Sequence, residues 1–272
     1  MTKPSHQSFL LPHICALENL ECLDKGRTTP YIIRGIDINT NQKGDYVVKY
    51  KGAPQLPPNG SCKELIASFI GLELDQPVPL PAIIEITSEF IESTRRTIAF
   101  PLVSASMGNN FGCTFHSGYS QLHWAQSASY VLTNKLLELF LFDIVISNAD
   151  RRVEKPNFLI NGEDLLMFDH EMAFGFLDEL PFLRNPKPWK IRENEMNWLA
   201  NHFCFNRFKG KPIAADSFLV KLTSLDSVFW DKVNTLLPVD WHCKQTGEIK
   251  GYIDQLIENE AGFANEIKRI LS

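Results

Sequence analysis

The sequence predicts an α+β fold in two lobes, a small β-rich N-lobe over residues 1–103 and a larger helical C-lobe over 104–272. Two observations carry that prediction. Short β-prone runs bounded by turn residues fill the stretch from 30 to 103, and helical texture dominates from about residue 120 onward. At 272 residues the chain fits one large domain or two packed lobes. A chain of this size buries roughly 70–75% of its unfolded surface, so it needs no disulfide or structural metal to hold a core. Composition excludes other classes. With 44% hydrophobic and 22% charged residues the chain is not disordered, and 15 glycines and 16 prolines fit no fibrous or low-complexity architecture. A formal net charge of −5 argues against a protein that coats nucleic acid.

The elements follow in order. Residues 31–34 (Tyr-Ile-Ile-Arg) and 46–50 (Tyr-Val-Val-Lys-Tyr) flank a polar connection with Asn39, Asn41 and Gly44, a hairpin pattern. From 61 to about 73, Leu65, Ile66, Phe69, Ile70 and Leu72 recur at helical spacing, with Ser61 as N-cap and Glu64 completing a capping box. The proline-rich stretch 76–81 stops that helix, and strands are expected over 82–87 and 97–103. A helix over 124–142, a loop, a β-hairpin and a helical tail from about 193 to 272 complete the chain. The apolar run 131–146 is interrupted by Lys135, Glu138 and Asp143 and is shorter than the ~20 residues of a spanning helix, so it reads as a buried helix.

The chemistry concentrates between 143 and 170. Apolar tetrads at 157–160 and 165–168 bracket the turn Asn161-Gly162-Glu163-Asp164. A hairpin there places Asn157 opposite Asp169, with strands ~4.8 Å apart, so that two oxygens can converge on one hard cation. Asp150 lies in the polar loop just upstream, anchored by an apolar helix. A loop Asp, then an Asn, then a strand pair ending in Asp is the arrangement phosphoryl transfer uses: the first orients or deprotonates a hydroxyl, and the others hold metal ions. The same chemistry calls for a strand Lys on the nucleotide phosphates, paired with a helix Glu. Lys49 and Glu64 supply that pair, and Val47, two residues before Lys49, shares its face and would line an adenine pocket.

These motifs resemble the HipA-like kinases, in particular their compact branch without an extra N-terminal domain, and more distantly the phosphatidylinositol kinases. The resemblance rests on Asp45-Tyr46-Val47-Val48-Lys49-Tyr50, Glu64-Leu65-Ile66-Ala67, Asn148-Ala149-Asp150-Arg151, Pro156-Asn157-Phe158-Leu159-Ile160 and Phe168-Asp169-His170-Glu171-Met172-Ala173-Phe174. It covers roughly residues 30 to 180. It implies a two-lobe protein-kinase-like fold, ATP and Mg2+ as cofactors, and transfer of the γ-phosphoryl group to a hydroxyl, by preference a protein Ser/Thr. By the same resemblance Lys49 binds nucleotide phosphates, Asp150 is catalytic, and Asn157 and Asp169 bind magnesium. In that fold residues 101–104, with Leu102, join the lobes and offer hydrogen bonds to adenine. The family includes toxins of toxin–antitoxin pairs, so a protein substrate and an antitoxin-type partner are further expectations.

The sequence departs from the pattern in three places. It has no G-x-G-x-x-G or G-x-x-x-x-G-K-[ST], and the loop 52–61, ending at a helix N-terminus, is the candidate replacement. His170-Glu171 follows Asp169 where protein kinases have Phe-Gly, and the Asp150-to-Asn157 spacing is two residues longer than the common loop. Competing readings are a pseudokinase or nucleotide-binding interaction module, a lipid or small-molecule kinase, and a metal-dependent hydrolase using Asp150 and Asp169. Simpler roles also exist: Asp150 as a turn residue, Lys49 as a solvated edge residue, and Glu64 as a cap alone.

Outside that region the signals are weaker. Cys113, His116 and His123 lack a fourth ligand for zinc. Phe203, Phe205 and Phe208 interleaved with Arg207, Lys209 and Lys211 read as a helix end with buried aromatics rather than a nucleic-acid surface. Arg151-Arg152 offers a phosphate grip, and Trp189, Trp198, Trp230 and Trp241 belong to a helical core. The cysteines Cys15, Cys22, Cys62, Cys113, Cys204 and Cys243 are scattered without a C-x-x-C pair, as in reduced cytoplasmic proteins. Residues 1–20 hold no apolar stretch of signal-peptide length. The expected location is cytoplasmic, with no membrane contact.

Overall fold

The computed structural model describes residues 2–23, 28–57, 59–241 and 245–272. A β-rich N-terminal region is followed by a helical C-terminal region. Five strands, β1 (His13–Cys22), β2 (Tyr31–Asp37), β3 (Lys43–Lys49), β4 (Pro81–Ile86) and β5 (Gly108–Thr114), close into a barrel in the order β1-β2-β3-β5-β4. All neighbours are antiparallel except β1 and β4. Alternation along β3 sends Tyr46 and Val48 into the barrel with Ile14, Ile33 and Ile84. Val47 and Lys49 therefore lie on the outer face.

Helix α1 (Gly60–Glu73) packs on that outer face and is buried along almost its whole length, its buried charges Glu64, Lys63 and Glu73 each partnered, by Lys49, Asp178 and the Ser5 hydroxyl. Its residues belong to the large core of the helical region and not to the barrel interior. Asn59, at φ 59°, caps it without a side-chain hydrogen bond. The expected capping box does not form, because the Glu64 carboxylate turns into the interior.

Between β4 and β5 the chain forms two short helices, α2 (Ser88–Ser93) and α3 (Phe100–Ser104). The strand expected over 97–103 is instead a turn followed by helix: Pro101 sits in the first turn of α3, where its missing N–H costs nothing. Phe90, Ala99 and Val103 close one end of the barrel core, with Leu102 packed against them. Residues 101–104 thus do not join the two regions. That connection follows β5, and the barrel runs to residue 114 rather than ending at 103.

Helix α4 (Tyr130–Val145) starts later than the sequence suggests, where the Ser129 hydroxyl accepts from the Leu132 N–H. A hairpin, β6 (Phe158–Asn161) and β7 (Asp164–Met167), follows. Its register pairs Phe158 with Met167, and the Phe168 N–H donates to the Asn157 carbonyl, so Asn157 faces Phe168 and not Asp169. Two 3-10 turns (Gly175–Asp178 and Pro181–Leu183) lead to α5 (Glu193–Asn201), α6 (Phe205–Phe208), α7 (Asp216–Lys221), α8 (Ser227–Leu236), α9 (Gln245–Glu258) and α10 (Glu260–Leu271). Phe203, Phe205, Phe208 and Trp230 are buried in this core, with Trp189, Trp198 and Trp241 packed against it. Among the described residues no helix is long and apolar enough to cross a membrane, and the five described cysteines are free thiols. Cys243 lies outside the described residues.

Candidate active site

The site forms where the outer face of β3 meets α1 and the end of the β6–β7 hairpin. Lys49 is buried, and its Nζ lies 2.7 Å from Glu64 Oε2, 2.5 Å from Asp169 Oδ1 and 3.0 Å from Glu171 Oε2. Burial disfavours its charge, yet Asp169, Glu64 and Glu171 together raise its pKa well above the ordinary lysine value. Burial also lifts the Glu64 carboxyl above its usual range against the pull of Lys49. The other Glu64 oxygen accepts from the backbone N–H of His170 at 2.9 Å. Glu64 therefore links barrel, α1 and the segment after β7.

Asp169 is engaged on both oxygens, by Lys49 and by Lys155, whose Nζ is 2.8 Å from Oδ2. Burial would raise its pKa, but the two lysines hold it well below the usual carboxylate range. Lys155 also lies 2.7 Å from Asp150 Oδ2, and Arg152 lies 3.3 Å from Oδ1. The Asn157 amide is 3.5 Å from the same Asp150 Oδ2. Asn157 (φ 48°) and Asp169 (φ 65°) both adopt left-handed backbone, which Asn and Asp tolerate better than other side chains.

Beneath this layer is a buried polar scaffold. Asp143, in the last turn of α4, pairs with Arg151, accepts from Asn148 at 2.8 Å, and lies 3.0 Å from His202 Nε2. Burial would raise the Asp143 pKa, but Arg151 and His202 drive it far below the ordinary value. Arg151 donates to the backbone carbonyls of Asn157 and Pro156, and the Asn148 side-chain oxygen Oδ1 accepts from the Asp150 N–H at 3.3 Å. Both ends of the loop that carries Asp150 and Asn157 are thereby fixed to one carboxylate. Arg151 is fully buried, so it is no free phosphate grip.

The structure thus brings Lys49, Glu64, Asp169, Asp150 and Asn157 into one connected network. Val47 shares the Lys49 face, between Ile32 of β2 and Cys113 of β5. Leu102 is set apart with the barrel-core cluster. In the loop 52–61, Gly52 packs so closely on Ala105 that a Cβ would lie 2.6 Å from the Ala105 Cβ, while Pro58 lies outside the described residues. Sequence reasoning missed Glu171, Lys155, Asp143 and His202. Asp143 had a signal: a lone acid in the apolar stretch 139–146 is either exposed or paired.

Three carboxylates gather on the Lys49 ammonium, and carboxylate oxygen is also the donor type that a hard divalent cation takes. One carboxylate oxygen each from Glu64, Asp169 and Glu171 lies within 4.8 Å of the others, the one such acidic, His or Cys group among the described residues. Cys113, His116 and His123 do not gather; His116 instead meets the Thr114 hydroxyl at 3.1 Å.

A barrel-face lysine paired with a helix glutamate, near a loop aspartate and a hairpin followed by a second aspartate, is an arrangement that phosphoryl transfer can use. The family model of the HipA-like kinases matches residues 17–180. The match spans more than half of the chain and contains every one of these groups, and the chain belongs to the HipA-like kinase family. Membership makes it a phosphotransferase in class. No curated protein matches it.

Proposed function

We propose that the protein is an ATP- and Mg2+-dependent kinase, built as a two-lobe kinase-like fold, that transfers the γ-phosphoryl group to a hydroxyl, by preference of a protein Ser/Thr. The observation that carries this reading is the pairing of Lys49 with both Glu64 and Asp169, next to the Asp150–Asn157 loop. Lys49 would bind nucleotide phosphates, with Glu64 keeping its ammonium in place and Val47 lining the adenine site. Asp169 and Asn157 would hold the divalent cation, which when bound supplies charge neutralisation on the phosphates. Asp150 orients the acceptor hydroxyl and takes its proton as the acceptor oxygen bonds to the γ-phosphorus and the bond to departing ADP breaks. The protein acceptor, an antitoxin-type partner and a cytoplasmic location are supported by family resemblance alone.

One observation favours a second reading, an interaction module that binds nucleotide without chemistry: all three N–H donors of the Lys49 ammonium already meet carboxylates. The test is ATP turnover and autophosphorylation with Mg2+, comparing wild type with Asp150→Ala. Transfer by wild type, reduced at least about 100-fold in the variant, supports the kinase reading. Nucleotide binding without transfer in either form supports the module.

A further inference from the structure

The stretch between Asp150 and Asn157, two residues longer than the common protein-kinase loop, contains a closed turn over residues 152–155. The Arg152 N–H donates to the Lys155 carbonyl at 3.1 Å, and the Lys155 N–H returns to the Arg152 carbonyl at 3.2 Å. Pro156 confines Lys155 to extended backbone. The base of the turn is tied down on both sides, by a backbone bridge from Arg152 to His202 and by the Arg151 guanidinium on the Pro156 carbonyl. This rigid base aims one long side chain at the site. Lys155 Nζ bridges Asp150 Oδ2 at 2.7 Å and Asp169 Oδ2 at 2.8 Å.

A lysine in a surface loop ordinarily makes exposed pairs of little energetic value. Lys155 instead joins the two carboxylates assigned to the acceptor hydroxyl and to the cation, and the transferring phosphoryl group must pass between those two. Lys49 and Lys155 differ in freedom. Lys49 is buried with three carboxylate partners, whereas the Lys155 side chain is 26% exposed, has two partners and hangs on a four-carbon stem. Its ammonium can shift without disturbing the turn below it.

We propose that Lys155 is the movable cation of this site: it bridges Asp150 and Asp169 at rest, and as a catalytic residue it contacts the transferring phosphoryl group once Asp169 engages the divalent ion. The proposal rests on the kinase reading for its catalytic half only. At rest Lys155 competes with the metal for Asp169. During transfer it supplies positive charge where negative charge spreads over the phosphoryl oxygens. The insertion is then the device that delivers it.

The test uses the full chain as Lys155→Met and Lys155→Arg, with thermal melts to establish that both fold. Titrated with Mn2+ alone, without nucleotide, Lys155→Met is expected to bind the ion about tenfold more tightly than wild type, since a competing cation is gone. With saturating Mn2+-ATP its kcat is expected to fall at least about 100-fold with KM for ATP within about threefold, and arginine to recover part of the loss. Unchanged or weaker Mn2+ binding by Lys155→Met overturns the resting role, and a kcat within about threefold of wild type overturns the catalytic role. An inactive wild type overturns the kinase reading and the catalytic half together, while the Mn2+ comparison still decides the resting half.

Discussion

At Asp143 a full negative charge sits in the last turn of α4, where the helix dipole disfavours it and burial would neutralise it. It stays ionised because Arg151, Asn148 and His202 converge on it, and those contacts fix the loop that carries Asp150 and Asn157. Asp143→Asn leaves the Arg151 guanidinium buried without its counter-charge, an arrangement that typically costs about 3–5 kcal/mol. The expected result is a large drop in the urea midpoint, with loss of phosphoryl transfer in whatever fraction remains folded. His170 makes a separate prediction. Burial, with Arg151 beside it, pulls its pKa down to about 3, against ~6.5 in the unfolded chain. The unfolded state therefore binds the extra proton between those values, and stability falls on acidification through that window by up to about 1.4 kcal/mol per pH unit. His202, also lowered by burial, acts in the same direction. Urea unfolding at pH 7 and pH 5 should show the fall, and His170→Gln should show a shallower one; an unchanged slope in that variant removes His170 as the source.

Strand β5 is the element on which the site depends without contributing a charge to it. It pairs with β3 through Lys49↔Phe111 and Val47↔Cys113, and so fixes the strand that carries the site lysine. Gly112 makes that approach possible: a Cβ there would lie 2.7 Å from the Val47 carbonyl and 2.4 Å from Ile84 Cγ1. Gly112→Ala is expected to cost about 1–3 kcal/mol through overpacking and to weaken nucleotide binding, both readable from urea unfolding and nucleotide titration. Wild-type values for both would mean that the barrel accommodates the methyl without moving β3. The sequence of β5, Gly-Asn-Asn-Phe-Gly-Cys-Thr, explains why it was illegible. Gly and Asn are depleted in strands, and buried Asn110 earns its place by tying the Lys51 N–H to the carbonyls of Ser106 and Gly108, a tertiary role no periodicity reveals. Strand β1 was hidden by two register shifts that break its alternation. By contrast β2, β3, β4, α1 and the β6–β7 hairpin were readable, because each has one consistent apolar face or a strong turn. The motif residues were readable for another reason: chemistry restricts their types and order. Their partners were not, since Lys155 and Glu171 take their meaning only from where the chain folds back.

The whole molecule has two hydrophobic cores, the barrel interior and the larger core that α1 shares with the helical region. Lys49 with Asp169 joins the barrel to the segment after the hairpin by a charged contact, and α1, packed between them, holds the same segment through the His170 N–H to Glu64 and Lys63 to Asp178. A ligand that needs Lys49 from the barrel and Asp169 from the hairpin binds only when both regions are folded and docked, so its binding energy adds to global stability. At a free concentration of 100 times its dissociation constant such a ligand stabilises by about 2.7 kcal/mol, roughly 5–10 °C for a chain of this size. A non-hydrolysable ATP analogue with Mg2+ is therefore expected to raise the melting temperature of wild type by that order. Asp169→Asn should lose the Mg2+-dependent part of the rise, because it removes charge from the oxygens assigned to the cation. Asp150→Asn should keep most of it, because its assigned work begins only when a hydroxyl attacks. Equal loss in both variants would mean that the two carboxylates act as one electrostatic unit held together by Lys155, and the division of labour between cation binding and proton acceptance would fall.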